Sequence, residues 1–240
     1  MKLFKYFFEF IIVIFFFVIF KIIGLKNSSN LGCLIFKSVG PILRKSKKIK
    51  KNIKIVFPDI SADKENKIIN EMWCNYGRVF SEYMHLQKFK KNKSNYIKIN
   101  FEKFDELKKR KDPILFFSGH FANFELLSME IEKYGFEVCA LYRPLNNVFL
   151  NPIMEKLRIK HICKNQIPKS IPGKGRDGTR QLIKRINEKR NIALMVDQKV
   201  TEGIQVDLFK KKLIHLTFQH NWLLNMVIYL FLWRLKEKIK

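Results

Sequence analysis

The chain has 240 residues, 47% of them hydrophobic, enough to bury one sizeable core and too many for a disordered segment. Lys and Arg number 47 against 21 Asp and Glu, a formal charge of +26 that points to an anionic partner: nucleic acid, a phosphorylated lipid, a membrane surface or an acidic protein. Lys, Ile, Asn and Phe are abundant together and share AT-rich codons, so base composition accounts for part of the lysine excess.

The first element is an apolar run from Leu3 to Leu25, with an uninterrupted core from Phe10 to Phe20 between Glu9 and Lys21. It has about the twenty residues that a bilayer-spanning helix needs. No A-x-A-like cleavage site follows at Lys21 to Lys26, so a retained anchor over residues 1–26 is expected, transmembrane or monotopic. Next comes a basic cluster from Arg44 to Lys54, which the positive-inside rule places on the cytoplasmic side, against anionic membrane lipids. It lacks interleaved aromatic residues for base stacking, and no nucleic-acid fold motif follows it, so a nucleic-acid partner is not expected. A long helix is predicted from Ser61 to Tyr83, with Ile68, Ile69, Met72, Tyr76 and Val79 on one side, within a basic helical part over 27–110.

From Lys111 the pattern alternates. Pro113 to Phe117 reads as a strand, Asn123 to Tyr134 as a helix with Asn123 as cap and Gly135 as stop, and Val138 to Tyr142 as a second strand. Another helix opens with Asn151 as cap and Pro152 at its first position, and a further one runs from about Arg176 to Lys189. Ile192 to Val196 is a strand leading into Asp197-Gln198. This alternation predicts an α/β core over 111–216, a mostly parallel sheet flanked by helices. His120, Arg143 and Asp197 each fall just after a predicted strand, at the carboxyl rim where such sheets collect their sites. The four cysteines, Cys33, Cys74, Cys139 and Cys163, form no C-x-x-C pair and no cluster with histidine, and read as reduced core thiols.

The stretch Ser118-Gly119-His120-Phe121-Ala122-Asn123-Phe124-Glu125 carries the chemistry. Residues five apart lie about 140° apart on an α-helix, so His120 and Glu125 cannot share a helical face. His120 is therefore expected in the turn and Glu125 in the first helical turn, where the carboxylate would orient the imidazole as a general base and stabilise its protonated form. A solvated turn histidine beside a helix-start glutamate has the same local pattern, since the helix dipole favours the carboxylate there.

The block resembles the H-x4-[DE] motif of the glycerolipid and lipid A acyltransferases. With Tyr142-Arg143-Pro144, Asn146 and Asp197-Gln198 the wider pattern, from Lys45 to Phe209, resembles the lauroyl or myristoyl acyltransferases of lipid A biosynthesis. The resemblance implies His120 and Glu125 as catalytic residues, and Asn123, Arg143, Asn146, Arg158, Arg176, Asp197 and Gln198 as substrate-binding ones. Arg158 and Arg176 read equally well as a charged helix face. It further implies acyl transfer from acyl carrier protein to a hydroxyl of a Kdo-bearing lipid A precursor, on the cytoplasmic face of the bacterial inner membrane, with no metal and no cofactor. The alternatives are a glycerolipid acyltransferase of the wider group, and a membrane-tethered basic binding protein without catalysis.

After Phe209 the resemblance stops. Asn221 to Trp233 is apolar, too short to span, and runs into lysines. An interfacial helix would suit it. Shifting the reading frame through the possible codons from Thr217 permits family-like words, so a frameshifted or truncated member is expected, with a loosely packed tail over 217–240.

Overall fold

The computed structural model describes residues 2–44, 46–91, 102–109, 112–169, 177–197, 204–208, 211–215 and 227–230. Two compact units are built from non-consecutive stretches: a helical unit over 14–85 with 205–213, and a sheet unit over 1–13, 86–204 and 214–240.

Helix α1 (Lys2–Leu43), which begins in the sheet unit and continues as the first element of the helical one, runs well past the apolar segment that nucleates it. Gly24, at φ 80° and ψ 169°, breaks it into legs over 2–23 and 25–43. The basic cluster forms α2 (Lys47–Val56), which buries none of its residues. The predicted long helix is α3 (Ala62–Glu82), starting after Ser61 with Asp63 and Glu65 in its first turn, where the helix dipole favours acids. Its buried ridge is Glu65, Ile69, Trp73, Gly77 and Ser81, a strict step of four. Ile68 and Tyr76, expected on the packed side, are exposed.

That ridge meets the second leg of α1 at glycines. A Cβ on Gly32 would lie 2.3 Å from the Gly77 carbonyl, and one on Gly77 would lie 2.0 Å from the Gly32 carbonyl, so only glycine permits the crossing. The approach brings Cys33 and Cys74 to a Cα separation of 3.9 Å, and their sulfurs are bonded. This corrects the expectation of four reduced thiols: the pair is 41 residues apart and is made by a helix crossing, which no local spacing reports. Cys139 and Cys163 are free and buried, as expected. Beside the crossing, the fully buried Ser29 donates to Glu82 Oε1 at 2.8 Å, and Arg78 donates to Ser29 Oγ at 2.9 Å.

The sheet unit continues with α4 (Leu86–Lys91) and α5 (Glu102–Lys108), and then alternates as predicted. Its elements are β1 (Ile114–Ser118), α6 (Glu125–Lys133), β2 (Val138–Tyr142), α7 (Leu150–His161), β3 (Asn165–Pro168), α8 (Asp177–Asn187) and β4 (Asn191–Met195). A two-stranded sheet of β5 (Ile204–Leu208) and β6 (Lys211–His215) follows in the chain and falls mainly in the helical unit, and β7 (Val227–Leu230) belongs to the sheet unit. The five-stranded sheet is parallel, in the order β3-β2-β4-β1-β7. Four residues of the tail expected to pack loosely thus form its edge strand, a β-branched and aromatic run that suits a pleated surface.

Both faces of the sheet are covered, which is why its strands read as continuous apolar runs. Leu115, Cys139, Ile167, Ile192 and Leu194 form one core with Leu182 of α8. On the other face Phe116 packs with Phe104 and Phe136, which also engage Tyr134. Helix α6 ends where Gly135 takes φ +95° and closes a Schellman motif, Phe136 donating to the Ile131 carbonyl and Gly135 to that of Glu132. Its start differs from expectation: Phe124, not Asn123, holds the cap position, without a side-chain bond.

The helix crossing is testable. Gly77→Leu should lower the thermal midpoint by an overpacking cost of about 1–3 kcal/mol or more, followed by circular dichroism. Thiol titration of the denatured, unreduced wild-type chain should count two free thiols, and the variant four.

Candidate functional site

Strand register builds the site. Ser118 of β1 is paired with Met195 of β4, so the residues two positions on, His120 and Asp197, emerge side by side at the carboxyl edge. Val196 donates to the Ser118 carbonyl at 2.9 Å, which carries the pairing past the strand ends. The Asp197 carboxylate then grips the turn twice: Oδ2 accepts the backbone N–H of His120 at 2.7 Å, and Oδ1 lies 2.6 Å from Nδ1 of its ring. With Nδ1 as the donor, Nε2 is the basic nitrogen. The Phe124 ring meets the imidazole edge-on at 4.5 Å between centroids. Ala122, in the same turn, sits at φ 44°, a left-handed conformation that costs a non-glycine residue about 1–2 kcal/mol.

Glu125 opens α6 as expected, and its carboxylate is held by Arg158 of α7, with Nη2 at 2.5 Å and Nε at 3.2 Å from Oε1. The two side chains are only 10% and 15% exposed, so the pair is well shielded from water. The Arg158 guanidinium also lies 5.5 Å from the Tyr142 ring centre. Tyr142 donates to Glu155 at 2.7 Å, and burial, with that bond, raises its pKa, so it stays a neutral donor. Burial likewise pushes the Cys163 thiol up to about 12, and its hydrogen goes to the Val138 carbonyl at 3.0 Å. It is an inert core thiol, not a nucleophile.

Of these groups His120, Phe124, Glu125, Tyr142 and Arg158 line a cavity of about 240 Å³. Its polar wall carries His120, Glu125, Arg143, Arg158 and Lys169, and its floor is apolar, with Phe116, Leu127, Leu141 and Leu194. Arg143 follows β2 and Lys169 follows β3, and they are neighbours because Tyr142 pairs with Pro168 and Lys169 donates to the Tyr142 carbonyl at 2.7 Å. A positive rim over an apolar pocket suits a ligand with an anionic head and a hydrocarbon part. No group of three or more metal-ligating side chains occurs among the described residues.

Of the residues singled out in the sequence, His120, Glu125, Arg143 and Arg158 share this cavity, and Asp197 touches it through His120. Asn123 is buried in the turn between the two motif residues, its carbonyl accepting from Leu126. Asn146 is exposed in the loop before α7, outside the cavity lining. Arg176 and Gln198 lie outside the described residues. Sequence reasoning missed Lys169, since the short β3 preceding it has little apolar signal. It also misplaced the start of α7: Asn151 is inside the helix, and Asn147 Oδ1 accepts the N–H groups of Phe149 and Leu150 instead.

A family model described as bacterial lipid A biosynthesis acyltransferase matches residues 1–234. The match extends beyond the Lys45 to Phe209 stretch on which the sequence resemblance rests. A comparison with curated proteins finds no match.

The shielded ion pair makes a stability prediction. Arg158→Met leaves the Glu125 carboxylate buried without its cation and should destabilise the chain by about 3 kcal/mol in a denaturant titration. Adding Glu125→Gln removes the stranded charge and should restore most of that loss.

Proposed function

The chain belongs to the bacterial lipid A biosynthesis acyltransferase family, and we propose that it moves a fatty acyl chain from acyl carrier protein to a hydroxyl of a Kdo-bearing lipid A precursor, with His120 as general base. The family makes it an acyltransferase of lipid A biosynthesis acting on a lipid substrate. What supports the finer reading is the setting of His120: an imidazole gripped through Nδ1 by Asp197, on the wall of a cavity that is cationic at its rim and apolar below.

In this reading Nε2 takes the proton of the acceptor hydroxyl as its oxygen bonds to the thioester carbonyl carbon. The carbon–sulfur bond then breaks, and the imidazolium returns the proton to the leaving thiolate. Asp197 fixes the tautomer. Glu125, held by Arg158, is the second carboxylate lining the cavity, and in this reading it supports the base from the helix side. Arg143 and Lys169 bind the anionic groups of the lipid head, and the apolar floor takes hydrocarbon. In this reading the reaction takes place on the cytoplasmic face of the inner membrane, which the basic residues of α2 support, since they would be drawn to anionic lipid.

His120→Ala should lower the acyl-transfer rate at least about 10²-fold with lipid binding nearly intact, in a purified assay with acyl carrier protein as donor. Glu125→Gln should also be slow, and the two losses should not add. A full rate with alanine at position 120 would overturn the mechanism. The donor assignment has its own test. Carrier proteins of this kind are acidic, so the apparent affinity for the acyl carrier should fall steeply as salt rises, while acyl-coenzyme A should be a poor substitute at any ionic strength.

A further inference from the structure

Helix α7 has two different faces. Arg158 lines the cavity and Met154 is buried. Pro152, Lys156, Ile159 and Lys160 are all exposed, and on a helix they fall within an arc of about 100° directed away from Arg158 and Met154. Helix α4, in the same unit, packs against α7 through its buried Leu86 and Phe89 side, and Lys90 donates to the Lys160 carbonyl at 2.9 Å. Lys88 and Lys91 of α4 are exposed, as is Lys164 just after α7. Among the described residues none of Lys88, Lys90, Lys91, Lys156, Lys160 and Lys164 forms an ion pair. Residues 86–91 contain no acid, and the single acid of 150–164, Glu155, accepts from the Tyr142 hydroxyl. The positive charge of this surface is therefore not neutralised from within.

We propose that this surface of α4 and α7 is where the acyl carrier protein docks. The proposal rests on the carrier protein being the donor, and adds the surface that receives it. A cluster of unneutralised cations steers an acidic protein to one patch and fixes its orientation there. Ile159, 43% exposed, is the single large apolar side chain exposed on these two helices, and Lys156 and Lys160 flank it. An apolar centre within a charged rim is the anatomy of a small protein interface. A helix face immersed in lipid would carry more apolar surface than one isoleucine. The position suits delivery as well. Arg158 and Ile159 are consecutive, so the patch lies about one helix diameter, roughly 10 Å, from the cavity wall, and a carrier bound there has to bring only its thioester arm to the site. None of the six lysines lines the cavity, so donor protein and lipid head are held by different residues.

The test is steady-state acyl transfer by the full-length chain with purified acyl carrier protein as donor. Lys156→Glu with Lys160→Glu should raise the apparent KM for the acyl carrier at least about tenfold and flatten its salt dependence, with kcat changed less than about twofold. Transfer from acyl-pantetheine, which carries the arm without the protein, should stay as in the wild type, as should the circular dichroism spectrum. Lys109→Glu with Lys184→Glu makes the same change of charge on exposed lysines of other elements and should leave the carrier KM within about twofold. An unchanged KM in the first variant, an equal rise in the second, or an equal loss of rate with both donors would overturn the docking surface. So would a first variant that keeps its carrier KM and instead binds phosphatidylglycerol vesicles at least about tenfold more weakly, since the patch would then be a membrane contact. A wild-type chain that transfers freely from acyl-coenzyme A and not from the carrier protein overturns the donor assignment itself, which tells the two failures apart.

Discussion

The pairing of β1 with β4 is the constraint on which the site depends. Ser118 opposite Met195 sets His120 beside Asp197, and the double grip of the carboxylate on the His120 backbone and ring follows from that register. Side chains alternate along a strand, so a slip of one residue would turn every strand side chain to the wrong face and carry Asp197 away from the imidazole. The register is defended by the core itself. Leu115, Ile192 and Leu194 face α8 on one side while Ile114 and Phe116 are buried on the other, and neither set can move without exposing a layer. The geometry of the candidate site is a by-product of hydrophobic packing on two faces.

The two carboxylates of the candidate site sit in different environments. Asp197 is 42% exposed and makes its bonds to the turn, holding the His120 backbone and ring. Glu125 is shielded and held by a guanidinium with two nitrogens on one oxygen, in a setting where Coulomb interactions are strong. Arg158 is in turn positioned beside Tyr142, whose hydroxyl is committed to Glu155. The chain of contacts ties α6, β2 and α7 together around the cavity.

Strands β1, β2 and β4 and the rim positions of His120, Arg143 and Asp197 were legible because their signal is local: a short apolar run ending in a polar turn. Features made by tertiary contact were not. Cys33 and Cys74 meet only because Gly32 and Gly77 let two helices approach, and glycines inside a helix read as weak points, not as a crossing. Lys169 reaches the cavity by following a four-residue strand, Asn165 to Pro168, with a single buried apolar side chain, Ile167. Asn147 reads as a loop residue, although its side chain caps α7 with one end and holds α1 with the other.

The same limit applies to α1, where average hydropathy is high because two different apolar surfaces are superposed. Within the sheet unit, Tyr6, Glu9 and Phe10 meet Asn147 and Phe149 and are half-buried, while Phe4, Phe8 and Ile11 are exposed. A window average adds them and returns the value of a bilayer span. The distinguishing signal is the partner of each face, and Asn147 and Phe149 are the residues that reveal it.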